Sequence, residues 1–331
     1  MQKLIFLFPL YNDWESLNKL LQNINIQLEE INSICEVVVV DDNSTISPSI
    51  DIKKLNNIIE LKVLRLKENL GSQKAISLGL KYIKDQKDSA IITIMDSDGE
   101  DDFSKIPEMI NSAKENDDKI VVSCRTKRQE GNVFSLLYSI HKLFIFLFSG
   151  RWINFGNYSS FNSMNLKKIL SNNYSQLALS SSIAKNCKIK KLYADRQKRI
   201  CGESNLSFFG LFQHSFRVLS VFQKEVSIIS LLYFIIFFIF NKFTSLLFLS
   251  LVLTFPLSCF VFTLGEKGRK FDNDFSMLNI LLGLEVPIVT SEPVFNLSVT
   301  SFLMKRMSFG ICLLLTEHSL IPSGRSLPRS L

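Results

Sequence analysis

Three acidic residues at alternate positions follow an apolar run in the first third of the chain. The run Ala90–Ile94 has the composition of a buried strand, and Asp96, Asp98 and Glu100 come directly after it. Alternate side chains of an extended segment point to the same side, so the three carboxylates would share one edge. Their oxygens suit a hard divalent cation, Mg²⁺ or Mn²⁺, that also binds a diphosphate. A solvated turn or a helix N-cap is the competing interpretation of such a motif.

The residues around this motif predict alternating strands and helices. The predicted strands are Leu4–Phe8, which Pro9 ends, Glu36–Val40, Leu61–Leu66, Ala90–Ile94 and Ile120–Cys124. Between them, apolar residues recur at helical spacing, for example from Leu17 to Ile31. This alternation predicts an α/β domain with a mostly parallel sheet and helices on both faces. Right-handed crossovers then bring the carboxyl ends of the strands to one rim, where open α/β sheets bind ligands.

Polar residues at the ends of the other predicted strands converge on the same rim. Tyr11-Asn12-Asp13 follows the first strand, Asp41 and Asp42 follow the second, and Asn69-Leu70-Gly71-Ser72 follows the third. Arg125 ends the last of them. Arginine suits bidentate binding of phosphate, although a lone arginine after a strand is also a common surface residue. The convergence predicts a ligand site to which several loops contribute.

The basic residues of the chain concentrate in one segment. The formal net charge is +7. The concentrated residues are Lys185, Lys188, Lys190, Lys191, Arg196, Lys198 and Arg199. They precede the most apolar part of the sequence, which favours a membrane surface or a lipid phosphate as partner over nucleic acid, for which no binding module is visible. The six cysteines show no close-paired spacing, which favours reduced packing residues on a cytosolic face.

Two amphipathic segments predict contact with a bilayer surface. Val133–Gly150 is strongly apolar but carries His141 and Lys142 at mid-length. Because charge is expensive at a bilayer centre, we expect an amphipathic helix in the membrane interface and keep a membrane span as the alternative. Phe208–Gln223 shows a similar pattern and would rest on the membrane.

Two further apolar runs, Val226–Phe240 and Thr244–Leu264, predict a transmembrane hairpin. Lys224 before it and Lys267 after it place both ends in the cytoplasm by the positive-inside rule. Two buried core helices are the alternative, which the lack of a polar face disfavours. The predicted organisation is a cytosolic domain at residues 1–207, a juxtamembrane helix at 208–225 and the hairpin at 226–265. Residues 266–331 receive no assignment.

Five short motifs stand in an order and spacing that resemble one enzyme family. They are Pro9-Leu10-Tyr11-Asn12, Val40-Asp41-Asp42-Asn43-Ser44, Asn69-Leu70-Gly71, Met95-Asp96-Ser97-Asp98-Gly99-Glu100 and Ile106-Pro107-Glu108. Together they resemble the family 2 glycosyltransferases, and most of all the branch of dolichyl-phosphate mannose synthases and undecaprenyl-phosphate sugar transferases. A looser likeness that includes Phe155-Gly156-Asn157-Tyr158 extends it over about residues 3–265. The resemblance implies a GT-A-like domain that binds a nucleotide sugar.

The resemblance also implies a role for each matching residue. The nucleotide pocket would be lined by Pro9, Tyr11, Asn12 and Asp13, with Asp41 or Asp42 on the base or ribose. Gly71 would let the backbone approach the nucleotide, and its neighbour Lys74 would supply positive charge. The metal and diphosphate would be bound by Asp96, Asp98 and Glu100. From the chemistry of arginine and the position of the two residues, rather than from the resemblance, we predict that Arg125 and Arg199 bind the acceptor phosphate. Lys198 would supply the charge of a lysine that the family commonly has after Ser204, where this chain has Asn205, and Ser204 would bind substrate. Catalysis would depend most directly on Asp98, Arg125 and Arg199. The branch usually has glutamine where this chain has Glu100, which leaves the metal preference open.

The activity that the resemblance implies is metal-dependent, inverting transfer of one sugar from a nucleotide diphosphate sugar to a polyprenyl phosphate. The enzyme would lie in the inner membrane as a multi-pass protein with its catalytic domain facing the cytoplasm. No strong general base is required, because a phosphate oxygen is already anionic near neutral pH. One alternative is a transferase that acts directly on a cell-surface glycan, although Arg151-Trp152 lacks the glutamine of the processive Gln-x-x-Arg-Trp motif. Another is a membrane-tethered nucleotide-sugar-binding module without catalysis. The sugar, the donor base and the oligomeric state stay open.

Overall fold

In the part of the chain that it describes, the computed structural model contains one mixed sheet of eight strands. They are β1 (Lys3–Leu10), β2 (Cys35–Asp41), β3 (Ile58–Leu66), β4 (Ala90–Ile94), β5 (Lys119–Arg125), β6 (Phe155–Asn162), β7 (Lys188–Ala194) and β8 (Phe275–Asn279). Their order is β7-β5-β6-β4-β1-β2-β3-β8. Among β1 to β7, only β6 runs antiparallel to its neighbours, and β8 pairs antiparallel with β3. The predicted α/β class with a mostly parallel sheet is confirmed.

Eight α-helices surround the sheet within the same described residues. They are α1 (Trp14–Glu30), α2 (Ser72–Asp85), α3 (Ile106–Glu115), α4 (Asn132–Ser149), α5 (Leu166–Ile169), α6 (Leu179–Asn186), α7 (Phe208–Val221) and α8 (Gln223–Phe240). A further helical segment covers residues 254–260. The strands and helices predicted up to residue 125 are all present, with ends that differ by a few residues.

The structure describes residues 2–48, 50, 55–125, 132–202, 208–240, 254–260 and 275–279, with side chains left out at 125, 132–137, 208, 209, 211, 237–240 and 275–279. They lie in one compact unit, Met1–Val289. The second half of the predicted hairpin is therefore described only at residues 254–260, and the unassigned tail only at 275–279.

The sequence predicted that Pro9 ends the first strand, and this prediction is wrong. Strand β1 continues to Leu10, and Pro9 pairs in register with Val40 of β2. On the other side, the pairing of β1 with β4 stops at Leu7 and Ile94. Pro9 therefore has a paired neighbour on one side only, where the missing N–H of proline is tolerated.

The sheet buries an apolar cluster on each face. Alternate residues of β1 serve the two clusters: Phe6 and Phe8 pack with α1 and α3, and Ile5 and Leu7 pack with α2, α5 and α6. This alternation follows from the two-residue period of a strand and explains why β1 is apolar throughout. The helices thus hold the sheet rigid from both sides, and its rim carries the loops that the sequence singled out.

A third apolar cluster joins α4, α7, α8 and the segment 254–260 to α6. Helices α7 and α8 form a pair bent by 98°, and Lys185 of α6 holds the bend by donating a hydrogen bond of 2.7 Å to the Val221 carbonyl. Within the described residues, none of the helices has by itself the length and apolar character needed to cross a bilayer. Among the described helices, the bent pair from Phe212 to Ile236 meets those criteria of length and composition.

Helix α2 packs closely against the sheet at Gly79. A Cβ atom at this position would lie 2.5 Å from Leu7 Cδ1 and 2.9 Å from Val40 Cγ2, both in the buried cluster. We predict that Gly79→Val lowers the free energy of unfolding by about 1–3 kcal/mol, because the core must move to admit the side chain. Urea unfolding measures the change. Lys84→Val, on the exposed side of the same helix, is the control and should cost less; equal losses would contradict the close packing.

Candidate active site

The loop after β4, residues 95–102 and hereafter the acidic loop, folds through its own carboxylates. Asp98 Oδ1 accepts a hydrogen bond of 3.1 Å from the Glu100 N–H, and Asp101 Oδ2 accepts one of 3.1 Å from the Asp96 N–H. Gly99 has φ of +75°, a conformation that glycine adopts readily. The acids therefore shape the turn as well as carrying charge toward the rim.

A second loop, residues 195–202 after β7 and hereafter the basic loop, lies directly on the acidic loop. The Gln197 N–H donates to the Glu100 carbonyl at 2.9 Å, and the Ile200 N–H donates to the Asp98 carbonyl at 3.0 Å. Ile200 also covers Gly99, where a Cβ would lie 2.3 Å from Ile200 Cδ1. Backbone bonds and an apolar contact thus fix the two loops together.

Two arginines of the basic loop pair with carboxylates of the rim. Arg199 joins two loops, because its Nη2 lies 2.7 Å from Asp13 Oδ2 and its Nη1 lies 3.3 Å from Asp98 Oδ2. Arg196 pairs with Glu100. Burial lowers the pKa of the Arg196 guanidinium, and the nearby charges of Asp98 and then Asp96 oppose this shift. The site is therefore a compact set of opposite charges near the carboxyl end of β4.

The three predicted metal ligands do not form one cluster. Asp96 Oδ1 accepts a hydrogen bond of 2.9 Å from Asn157 Nδ2, Asp98 pairs with Arg199, and Glu100 pairs with Arg196. Across the described residues, there is no group of three histidine, cysteine or acidic side chains with the geometry of a metal site. The expectation that Asp96, Asp98 and Glu100 share one edge as a ready ligand set thus differs from the structure, because β4 ends at Ile94 and strand periodicity does not continue through the acidic loop.

Asp42, which follows β2, binds the loop that precedes α2. Its two carboxylate oxygens each accept a hydrogen bond of 2.7 Å, one from the Leu70 N–H and one from the Gly71 N–H. Burial raises the pKa of Asp42, although those two bonds and Lys74 oppose the shift. Gly71 has φ of +88° and is the N-cap residue of α2. Asp42 therefore positions the loop that precedes α2.

Asp41 and Asn12 bind the segment that follows β2. Asp41 Oδ1 accepts from the Ser44 N–H at 2.8 Å, and Arg65 Nε lies 3.7 Å from Asp41 Oδ2. The buried Asp41 Oδ2 makes no hydrogen bond to any residue that the structure describes. Asn12 accepts from the Thr45 N–H at 2.8 Å and donates its own N–H to Ser44 Oγ at 2.8 Å. These contacts close the loop after β1 onto the loop after β2.

The remaining predicted residues differ in exposure, and two of them have no described side chain. Tyr11 is exposed beside Asn12, Pro9 is buried inside β1, and Lys74 is buried in the first turn of α2. Lys198 is exposed in the basic loop. Two others give no side-chain position: Arg125 is described by its backbone in β5 only, and Ser204 lies outside the described residues. The acceptor-phosphate role of these two stays a prediction.

Three side chains that contact the site were given no role from the sequence. Arg196 pairs with Glu100, Asn157 of β6 donates to Asp96, and Gln73 of α2 donates to Asn157 at 3.1 Å. Arg196 belonged to the basic concentration, and Asn157 to a motif of the resemblance. Neither signal showed which carboxylate each would meet, because those contacts join residues 61 or more positions apart.

Comparison with known proteins decides the family. The sequence profile described as Glycosyl transferase family 2 matches residues 6–173, about half of the chain. This chain belongs to glycosyl transferase family 2. The matched range contains the acidic loop, Asp42 and Asn157. The glycosyltransferase assignment made from the five motifs is therefore confirmed.

Curated relatives of this glycosyltransferase match over a shorter segment. A dodecaprenyl-phosphate galacturonate synthase from Rhizobium johnstonii is 24% identical over 131 residues, which cover 39% of this chain and 38% of the relative. An undecaprenyl-phosphate 4-deoxy-4-formamido-L-arabinose transferase from Proteus mirabilis is 27% identical over 132 residues, which cover 39% of each chain. The chain thus spans about two-fifths of the length of the curated relatives that it matches.

Solved structures of similar fold have low sequence identity to the glycosyltransferase. Mannosyl-3-phosphoglycerate synthase from Rubrobacter xylanophilus has a TM-score of 0.47 and 14% identity, over 68% of this chain and 74% of that chain. S. aureus TarS 1–349 in complex with UDP-GlcNAc has a TM-score of 0.41 and 19% identity, over 68% of this chain and 66% of that chain.

The contact between the two loops can be tested at Gly99. We predict that Gly99→Ala destabilises the protein by more than the roughly 1–2 kcal/mol cost of the backbone conformation, because the new Cβ meets Ile200. Gly202→Ala is the matched control: its φ is +72°, and no atom of the described residues lies within 4 Å of an added Cβ. Urea unfolding and tryptic cleavage at Arg196 and Arg199 measure the effect. Equal behaviour of the two variants would show that the loops are not in contact.

Proposed function

We propose that this glycosyltransferase moves a sugar from a nucleotide diphosphate sugar to a polyprenyl phosphate at a membrane. Support comes from the family membership and from the names of the relatives, both of which are polyprenyl-phosphate sugar enzymes. The single observation that carries the proposal is the pairing of the acidic loop with the arginines of the basic loop. Such a site can bind an anionic donor and an anionic acceptor together.

Divalent metal dependence is the second element of the proposal. Asp96 and Asp98 provide hard oxygen donors, and Mg²⁺ is often held by only one or two carboxylates with water and substrate phosphates completing its shell. A cage of three protein carboxylates is therefore not required. Asp98 and Glu100 each pair with an arginine, so each would bind the cation only after that arginine turns to a substrate phosphate. When bound, the cation would neutralise charge on the departing diphosphate.

The chain's own residues have distinct tasks in the proposed reaction. Asp42 holds the loop before α2, so that the Gly71 backbone lies at the donor side. Arg199 lies between Asp13 and Asp98, where its guanidinium can exchange a carboxylate for a phosphate oxygen of similar geometry. The acceptor phosphate is anionic without help from a base, and it would attack the anomeric carbon from the side opposite the diphosphate, which inverts that centre.

The acceptor side is proposed to face lipid. Large apolar side chains are exposed on α4, α7, α8 and the segment 254–260; they include Ile140, Leu143, Phe146, Phe212, Leu231, Ile235 and Phe260. Exposed apolar patches of this kind mark sites of membrane or protein contact. We propose that this layer, with the hairpin expected at residues 226–265, holds the catalytic domain on the cytoplasmic side of the inner membrane.

Transfer to lipid is tested with the purified full-length chain, undecaprenyl phosphate, Mn²⁺ or Mg²⁺, and a panel of radiolabelled nucleotide sugars. We predict that label enters the lipid extract and that Asp98→Asn reduces the rate at least about 100-fold, because the charge beside Arg199 is lost. Asp117→Asn, which changes an aspartate at the amino end of β5, should retain activity. No transfer and no binding with any donor would overturn the proposal. Label in a water-soluble glycan acceptor would favour the direct-transfer alternative.

Membrane contact is tested with the full-length protein diluted from detergent into vesicles of phosphatidylethanolamine and phosphatidylglycerol. We predict that Leu231→Asp with Ile235→Asp lowers co-flotation at least tenfold, because two apolar side chains of about 1.5–3 kcal/mol each leave the lipid. Ile26→Asp with Ile59→Asp, at exposed positions of α1 and β3, is the matched control and should float like the unmodified protein. Equal loss in both pairs would argue against a lipid-facing α8.

A further inference from the structure

Asn157 lies opposite Asp96 because of the register of two antiparallel strands. In the β4–β6 pair, Ile94 stands opposite Ser159 and Thr93 opposite Ser160. Continuing this register by two residues brings Asp96 level with Asn157. The hydrogen bond of 2.9 Å from Asn157 Nδ2 to Asp96 Oδ1 follows from that placement. The strand pairing therefore places the Asn157 amide beside Asp96, the first acid of the acidic loop.

The orientation of the Asn157 amide is fixed by a chain of hydrogen bonds. The Leu179 N–H can only donate, and it donates to Gln73 Oε1 at 2.7 Å. Gln73 must then present its Nε2 to Asn157 Oδ1, at 3.1 Å. Asn157 in turn presents its Nδ2 to Asp96, whose ionised carboxylate can only accept. Because a backbone donor stands at one end and a carboxylate at the other, all three hydrogen bonds must run in the same direction, from Leu179 toward Asp96.

This chain of bonds joins elements that form different parts of the site. Leu179 is the first residue of α6, where backbone N–H groups lack partners within the helix. Gln73 lies in the first turn of α2, two residues after Gly71, whose N–H binds Asp42. The position of Asp96 is therefore tied to the loop that Asp42 holds on the donor side.

We propose that Asn157, oriented by Gln73, is a positioning residue that holds the Asp96 carboxylate turned for its part in binding a divalent cation and the donor diphosphate. The inference rests on the proposed function. It adds to that function a support for one carboxylate that comes from β6 and α2. Groups that hydrogen-bond to a metal-binding carboxylate raise metal affinity or activity about 10- to 100-fold.

A role in folding alone would give a different result, so the test compares two asparagines of one strand. Asn162 stands at the other end of β6 and donates to Asp117 at 3.0 Å, as Asn157 donates to Asp96. Asn157→Ala and Asn162→Ala each remove one amide-to-carboxylate bond from β6. Electron paramagnetic resonance of free Mn²⁺, titrated with full-length protein, measures metal affinity directly, and thermal unfolding measures stability. We expect Asn157→Ala to weaken Mn²⁺ binding at least tenfold and Asn162→Ala to leave it within twofold.

Gln73→Glu provides a second variant that leaves Asn157 and Asp96 in place. At pH 8 its carboxylate still accepts from Leu179 but also faces Asn157, which must turn its amide and present Oδ1 to Asp96. The resulting repulsion should weaken Mn²⁺ binding at least tenfold, and this variant decides the question if Asn157→Ala does not fold.

The outcomes separate the inference from the proposed function. If the unmodified protein binds Mn²⁺ and transfers sugar while Asn157→Ala and Gln73→Glu bind Mn²⁺ normally, the positioning role is overturned and the function stands. A loss of affinity that Asn162→Ala shares would also overturn it, because the effect would then be one of strand stability. If the unmodified protein transfers sugar without binding Mn²⁺, both the metal dependence and the positioning role fail.

Discussion

The bridge that Arg199 makes between Asp13 and Asp98 is the interaction on which the site depends. One guanidinium meets carboxylates from the loop after β1 and from the acidic loop, and all three side chains are mostly withdrawn from solvent. Removing one partner of such a group leaves an uncompensated charge, which costs far more than the net gain from forming the pair. The two loops can therefore approach each other only because the basic loop supplies positive charge between them. Arg196 repeats the arrangement with Glu100.

The same charges define what a ligand must do on binding. Carboxylates that are already paired with arginine are available to a cation only if the guanidinium finds another anion. A nucleotide diphosphate sugar and a lipid phosphate supply such anions. In the proposed reaction, substrate phosphates and protein carboxylates thus share the same arginines, and the charge of the site stays balanced through the exchange.

Much of the α/β domain could be predicted from the sequence, because its strands are continuous apolar runs buried on both faces. Strands β1, β2 and β4 have this character, whereas charged residues interrupt the apolar ones in β3. The contacts of Arg199 with Asp13 and Asp98 bring the loops after β1 and β4 together, as parallel strand order predicts. Strand β6 was not predicted as a strand, since Phe155–Asn162 contains serine and asparagine where an apolar run would be expected. Missing β6 also meant missing the amide that Asn157 presents to Asp96. Likewise, the Asp96-to-Glu100 spacing predicted a shared edge only if the strand continued, and β4 ends at Ile94.

Helix α6 connects the candidate site to the bent pair of α7 and α8. Its first residue, Leu179, is hydrogen-bonded to Gln73, and near its other end Lys185 holds the bend between α7 and α8. Its eight residues span about 12 Å at 1.5 Å per residue. This rod has no loop within it to absorb changes in length. It therefore keeps a constant distance between Gln73, which contacts the candidate site through Asn157, and the bent pair of α7 and α8.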